Sequence, residues 1–177
     1  FIEFLEVMTD TNDNNQMPTK VVTLDGVDMR FCIPNELTHW RIDHLVEVEP
    51  LTVAWMLGFS EKDVMFDVGA NIGVMSVIAA AVRGARVFSF EPHSENYAVL
   101  CRNVAQNNLG DMIQAWPVAV CDETGFGNLH IMDTRPGSAN HAFGESKNFL
   151  LDKQTFPHVQ ESYSVRLDEL IQSGILP

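Results

Sequence analysis

No stretch of 18 or more apolar residues occurs in this chain, so nothing in it reads as a transmembrane helix. Cysteine is scarce and unpatterned. Cys32, Cys101 and Cys121 are odd in number and form no Cys-x-x-Cys pair, which argues against a disulfide framework or a zinc site and for reduced thiols in the cytoplasm. Basic residues are few, 11 Lys and Arg against 24 Asp and Glu, for a formal net charge of −13. Lys20, Arg30, Arg41, Lys62, Arg83 and Arg86 are scattered, so the clusters that neutralise a phosphate backbone are missing and a nucleic-acid substrate is disfavoured. The opening residues Phe1 to Glu6 are acidic and lack the basic start and small-residue cleavage site of a signal peptide. No internal repeat and no metal-ligand cluster stands out. What is present is 177 residues, 46% of them hydrophobic, enough for one domain with its own core.

The most informative run is Asp67-Val68-Gly69-Ala70-Asn71-Ile72-Gly73. It follows the apolar stretch Asp63 to Phe66 and opens the small, apolar run Val74 to Val82, which reads as strand, glycine turn and helix. A second strand, Arg86 to Phe90, ends on Glu91. A glycine turn after one strand and an acid at the end of the next, about 20 residues on, is the layout that holds an adenosine ribose. The spacing is not that of a dinucleotide site. Asn71 stands where the middle glycine of G-x-G-x-x-G lets a pyrophosphate approach, and the charge of Asp67 would repel one. An amino-acid zwitterion bearing a sulfonium fits better. Its carboxylate is expected to take free amides from Asn71 to Gly73 at the helix start, and its cations tolerate Asp67. Glu91 is expected to accept from both ribose hydroxyls. The expected cofactor is S-adenosylmethionine; the alternative is a tight βα turn with no ligand.

Around this centre, Val21 to Ile33 reads as a hairpin turning at Asp25-Gly26. Residues 1–8 read as a short helix or a stub, and residues 9–19 as a polar linker. Residues 49–58 read as a helix with Pro50 at its first position. Glu49 there either complements the helix dipole or faces the ligand, with the cap role favoured. Helices are predicted over 73–83 and over 94–108, the latter capped by Ser94. Met112 to Val120 reads as a third strand, which Pro117 places at a sheet edge or a bulge. Asp122 follows it on the same rim as Gly69 and Glu91, either near the adenine or as a plain turn residue. A strand is expected over 127–133, loop over 134–162 and a short helix over 165–171. His141 and His93 read as a loop and a turn residue rather than as bases, and the catalytic residue is left open.

The chain resembles the FkbM-type methyltransferases, a branch of the class I S-adenosylmethionine-dependent enzymes. The resemblance runs from about Glu49 to Leu170. It rests on Glu49-Pro50-Leu51-Thr52 with Trp55, on D-V-G-A-N-I-G at 67–73, and on Phe88-Ser89-Phe90-Glu91-Pro92. It continues through Glu95-Asn96-Tyr97, Ala119-Val120-Cys121-Asp122 and Val165-Arg166-Leu167-Asp168-Glu169-Leu170. It implies an α/β, Rossmann-like doubly wound sheet, with residues 1–48 as an N-terminal accessory and 49–177 as the cofactor domain. It implies Asp67, Gly69, Ala70, Asn71 and Gly73 along the methionine end, Glu91 at the ribose and Asp122 near the adenine, with Glu49 and Thr52 bordering the pocket. The family usually continues with a further strand and an acidic stretch, so the chain is expected to be a fragment lacking most of its acceptor half.

The reaction expected from that resemblance is methyl transfer to a hydroxyl of a small molecule or glycan. A non-catalytic module that holds S-adenosylmethionine and, less favoured, a dinucleotide-dependent oxidoreductase are the competing readings. No N-P-P-Y-like run points to a nucleobase amine.

Overall fold

In a computed structural model that describes residues 17–147, 150 and 152–177, the chain opens with the predicted hairpin. Strands β1 (Thr19–Leu24) and β2 (Val27–Cys32) pair antiparallel with Leu24 opposite Val27. Asp25 and Gly26 between them take positive φ values of 51° and 78°, the turn geometry whose twist matches that of the flanking strands. The expectations for residues 1–8 and for 9–16 of the polar segment lie outside the described residues.

Met29 and Phe31 of β2 are fully buried, in the same core as Val77, Ile78 and Leu100. Asn103 reinforces that junction: its Oδ1 accepts from Cys32 N at 2.7 Å, and its Nδ2 donates to Ile72 O at 2.7 Å. The hairpin is therefore built into the core that supports the glycine turn.

Three short helices follow, α1 (Glu36–Asp43), α2 (Leu45–Val48) and α3 (Pro50–Met56). Only the third is predicted from the sequence. The start of α1 is a reciprocal cap: Asn35 Oδ1 accepts from Thr38 N at 2.9 Å, and Thr38 Oγ1 accepts from Asn35 N at 3.3 Å. Its buried residues are Thr38 and Ile42, too few to write a helical period into the sequence.

The centre is a parallel sheet of order β3-β4-β5, formed by Val64–Val68, Arg86–Phe90 and Ile113–Trp116. Helices α4 (Val74–Arg83) and α5 (Ser94–Gln106) make the crossovers. The buried small side chains Ala79 and Ala80 let α4 lie close to Val87. On the opposite face Phe88 and Phe90 pack with Leu176 and with Leu167 and Leu170 of α6 (Leu167–Gln172). Helices on both faces of a parallel sheet are the doubly wound arrangement the sequence predicts. The cap of α5 is His93 rather than Ser94, which is instead the first helical residue.

Two sequence expectations are corrected here. The third strand is not continuous over 112–120. It breaks at Pro117-Val118, where a ladder donor is missing, into β5 and β6 (Ala119–Val120). Strand β5 keeps the sheet edge, and β6 enters a second sheet of order β6-β9-β7-β8. Residues 134–162 are also not all loop. They contain β8 (Ala142–Phe143) and the start of β9 (His158–Val165), which pairs antiparallel with β7 (Gly125–Ile131) from Gly125↔Ser164 to Ile131↔His158. The first residues of β9, His158 to Glu161, bury no side chain and show no alternation of apolar and polar residues, so the long-range pairing with β7 makes them a strand.

Candidate functional site

Strand β3 ends at Val68, and the chain then turns through Gly69 (φ 75°), Asn71 (φ 53°) and Gly73 (φ 78°) before α4 begins. Gly69 N and Ala70 N both donate to Phe90 O, at 2.9 and 3.0 Å, which ties the turn to the end of β4. Glu91, the next residue, is 4% exposed. Its Oε2 accepts from Asn71 N at 2.7 Å and its Oε1 from His93 N at 2.9 Å. Burial pushes its carboxyl pKa up, against the opposing pull of those N–H donors. The Asn96 side chain also acts on this carboxylate; with about four lone-pair sites, Glu91 can still accept from a ligand hydroxyl.

The amides assigned to a ligand carboxylate are not free. Asn71 N is held by Glu91, Ile72 N donates to Asn71 Oδ1 at 2.9 Å, and Gly73 N donates to Ala70 O at 2.8 Å. An asparagine in the left-handed region folds its side chain back onto the following backbone, and here that consumes the donor. Asp67, at the end of β3, accepts from Ser76 Oγ at 2.5 Å, and Ser76 Oγ lies 2.7 Å from Ser89 Oγ. Burial raises the Asp67 pKa while the Ser76 hydrogen bonds lower it.

Residues 133–141, between β7 and β8, form a roof over the turn. Asn71 Nδ2 donates to Ser138 O at 2.6 Å and Asn96 Nδ2 to the same oxygen at 3.1 Å. Gly137 N donates to Asn96 Oδ1 at 2.8 Å, Asn35 Nδ2 donates to Pro136 O at 2.9 Å, and Arg41 Nε donates to Gly137 O. Gly137 has φ 86°, and a Cβ there would lie 2.8 Å from Thr38 Cγ2, so α1 and the roof meet at a position only glycine fills. Ser138 Oγ donates to Asp133 O and sits 3.1 Å from His141 Nε2, while His141 Nδ1 accepts from Met132 N at 3.3 Å. Burial, and then the neighbouring His93, lower the His141 pKa to about 4. The imidazole is therefore neutral, with its proton on Nε2. His93 is 1% exposed, burial lowers its pKa, and its Nδ1 has no hydrogen-bond partner among the described residues.

Two cavities share Gly69 and Asn71 as walls. One, of about 150 Å³, is lined by Arg41, Glu49, Asp67 and Ala70. The other, of about 290 Å³, is lined by Glu91, Pro92, Asn96, Val120, Ser138 and His141. A groove of about 890 Å³, lined by Asp122, Phe126, Phe143 and Lys147, adjoins the second through His141 and Phe143.

The structure thus gathers Asp67, Gly69, Ala70, Asn71 and Glu49 on one side of the turn and Glu91 on the other. Gly73 caps α4 with its Cα against Leu100. Glu49 makes no side-chain cap bond to α3; its Oε2 accepts from Thr52 Oγ1 at 2.9 Å, so Thr52 stands behind Glu49. Asp122 lines the groove, not the cavity of Glu91, and accepts from Cys121 Sγ at 3.1 Å. Arg41, Asn96 and Ser138 are the site residues the sequence left unmarked. The one signal for Arg41 was the Asn35/Thr38 cap that begins its helix. Among the described residues no group of His, Cys, Asp and Glu is placed to hold a metal, and no helix is long and apolar enough to cross a membrane.

Residues 67–174 match the sequence profile of the methyltransferase FkbM domain. No curated protein matches the chain. Solved structures similar to it include M. jannaschii TYW2 in complex with AdoMet, at 17% identity and a TM-score of 0.42 over 58% of this chain and 44% of that one. P. horikoshii TYW2 in complex with MeSAdo aligns at 16% identity and a TM-score of 0.41 over 57% of this chain and 36% of that one. An RNA methyltransferase from Salinibacter ruber in complex with S-adenosyl-L-homocysteine aligns at 24% identity and a TM-score of 0.37, over 40% and 48%. In each case the chain spans less than half of the other protein's length.

Proposed function

The chain belongs to the FkbM methyltransferase domain family, and on that premise we propose that it binds S-adenosylmethionine across the Gly69–Gly73 turn and transfers the methyl group to a hydroxyl of a small molecule or glycan. The observation that carries this reading is the pair of cavities that share Gly69 and Asn71, one holding Glu91 and the other the charged residues Glu49 and Asp67. A ligand with an adenosine at one end and an amino acid at the other needs that division. A Cβ at Gly69 would meet nothing within 4 Å, so the space beside the turn is open.

Bound there, the cofactor supplies a methyl group already activated by its sulfonium. The chain's own residues bind, align and exclude water. Glu91 accepts from the ribose hydroxyls with its remaining lone pairs. Asp67 and Glu49 offset positive charge at the other end. Ser138 and His141 roof the adenosine side, and the adjoining groove with Phe126 and Phe143 receives the acceptor. A hydroxyl acceptor must lose a proton, and neutral His141 borders both spaces. Its Nδ1 accepts from Met132 N at 3.3 Å, so taking that proton requires this bond to open. The net charge of −13, with Asp122, Glu123 and Glu145 on the groove, supports a neutral or cationic acceptor over a nucleic acid. The unpaired Cys32, Cys101 and Cys121 support a cytoplasmic setting.

A second reading, a module that holds the cofactor without catalysis, is favoured by the engagement of both His141 nitrogens. Calorimetric titration with S-adenosylhomocysteine, and with NAD in parallel, tests the cofactor. Binding of the first alone is the expected result; binding of NAD, or of neither, overturns the reading. Label from tritiated S-adenosylmethionine appearing on hydroxyl acceptors then separates enzyme from module.

A further inference from the structure

We propose that Arg41 holds the α-carboxylate of the cofactor's amino-acid end, opposite Glu49 as the partner of its ammonium; this rests on the cofactor reading above. The turn cannot serve the carboxylate with the Asn71, Ile72 and Gly73 amides, because Glu91, Asn71 Oδ1 and Ala70 O already hold them. The same cavity that Gly69, Ala70 and Asn71 wall contains one cation among its lining residues, Arg41.

Arg41 sits in the last turn of α1, and its Nε donates to Gly137 O. That bond fixes the plane of the guanidinium and leaves the two terminal amino groups with no protein partner among the described residues. Glu49 acts on Arg41 electrostatically, yet the two form no ion pair among the described residues. An arginine and a glutamate that line one small cavity without closing on each other present opposite charges to a ligand. A free amino-acid zwitterion matches both, and a planar guanidinium takes a carboxylate through two parallel hydrogen bonds. The positive end of α4, whose first residues Val74 and Met75 line the same cavity, adds to the field at the carboxylate. The charge comes from outside residues 67–174, on a helix that is locked to the roof by Asn35 and Arg41.

The test compares S-adenosylhomocysteine with methylthioadenosine, which keeps the adenosine and thioether but has no amino acid, on the wild-type chain and on Arg41→Met. The wild type is expected to bind both, S-adenosylhomocysteine the more tightly. The variant is expected to bind S-adenosylhomocysteine roughly ten- to a hundredfold more weakly, the range for losing hydrogen bonds to a charged group. Its affinity for methylthioadenosine is expected to stay within about twofold, which also shows that the variant is folded. Arg41→Lys, which keeps charge but not the fork, is expected to fall between the two. Equal S-adenosylhomocysteine affinity in wild type and Arg41→Met overturns the assignment of Arg41 alone. Equal loss of both ligands in Arg41→Met, with Arg41→Lys restoring both, also overturns it, since the residue then supports the roof rather than the carboxylate. Failure of the wild type to bind S-adenosylhomocysteine overturns the cofactor reading and this one with it.

Discussion

Glu91 faces two ways. Its oxygens hold Asn71 N and His93 N inside the protein, and the same oxygens border the cavity beside Pro92 and Ser138. Removing the carboxylate therefore does more than weaken a ligand. Glu91→Ala leaves buried N–H groups without acceptors, each worth about 1–3 kcal/mol. A loss of at least that size in the unfolding free energy is expected from urea titration, together with loss of S-adenosylhomocysteine binding. Unchanged stability would show that the two N–H groups are not held by Glu91 in solution. The glycines of the turn separate in the same way. Gly69 and Gly73 both hold left-handed φ, but a Cβ at Gly73 would lie 2.9 Å from Leu100 Cγ, whereas at Gly69 it meets nothing within 4 Å. Gly73→Ala is expected to lose more stability than Gly69→Ala, which pays only the backbone strain of about 1 kcal/mol. Equal losses measured side by side would contradict the packing. At this scale the strand, glycine turn and helix were legible because glycine spacing and a trailing acid survive in one dimension. It could not show that Asn71 consumes the amide of Ile72, which depends on a φ of 53°.

Among the elements, the roof at 133–141 carries a histidine whose protonation is coupled to folding. Unfolded histidine takes up its proton near pH 6.5, whereas folded His141 does so only near 4. Between those values the unfolded chain binds more protons, so the unfolding free energy rises with pH. The contribution is complete above pH 6.5 and is lost progressively as the pH falls toward 4. Buried His93, also shifted down, acts in the same direction. The stability difference between wild type and His141→Asn, read from urea midpoints, is expected to shift against the wild type as the pH falls from 6.5 toward 4; parallel pH profiles would contradict this. Gly137→Ala sets a methyl against Thr38 at the junction of roof and α1. It is expected to speed amide exchange across 133–141 while leaving β3 and β4 protected. Helices α3, α4 and α5 and the first two parallel strands were readable from periodicity, Pro50 and the flanking glycines. The roof and α1 were not, because polar side chains bonding to distant backbone hold them, and the start of β9 was not, because its pairing with β7 is long-range; no local period records either.

Over the whole molecule, the chain passes from the parallel sheet to the second, mixed sheet through the Pro117 break between β5 and β6, and Ala119 and Val120 of β6 line the cavity that the turn and the roof also wall. The sequence pointed to the first sheet and its doubly wound order. It did not separate the second, whose strands β7 and β9 lie more than two dozen residues apart. The hairpin likewise reads as an accessory in sequence yet shares its core with α4 and α5, so the helices that carry the turn rest on it. We propose that one ligand lies across Gly69 and Asn71 with its adenosine at Glu91 and its amino acid at Arg41. A crystal structure of this chain with S-adenosylhomocysteine tests it most directly. The expected result is ribose hydroxyls within hydrogen-bond distance of Glu91 and the carboxylate on the Arg41 guanidinium. A ligand bound away from the turn, or lying across it in the reverse sense, would contradict it.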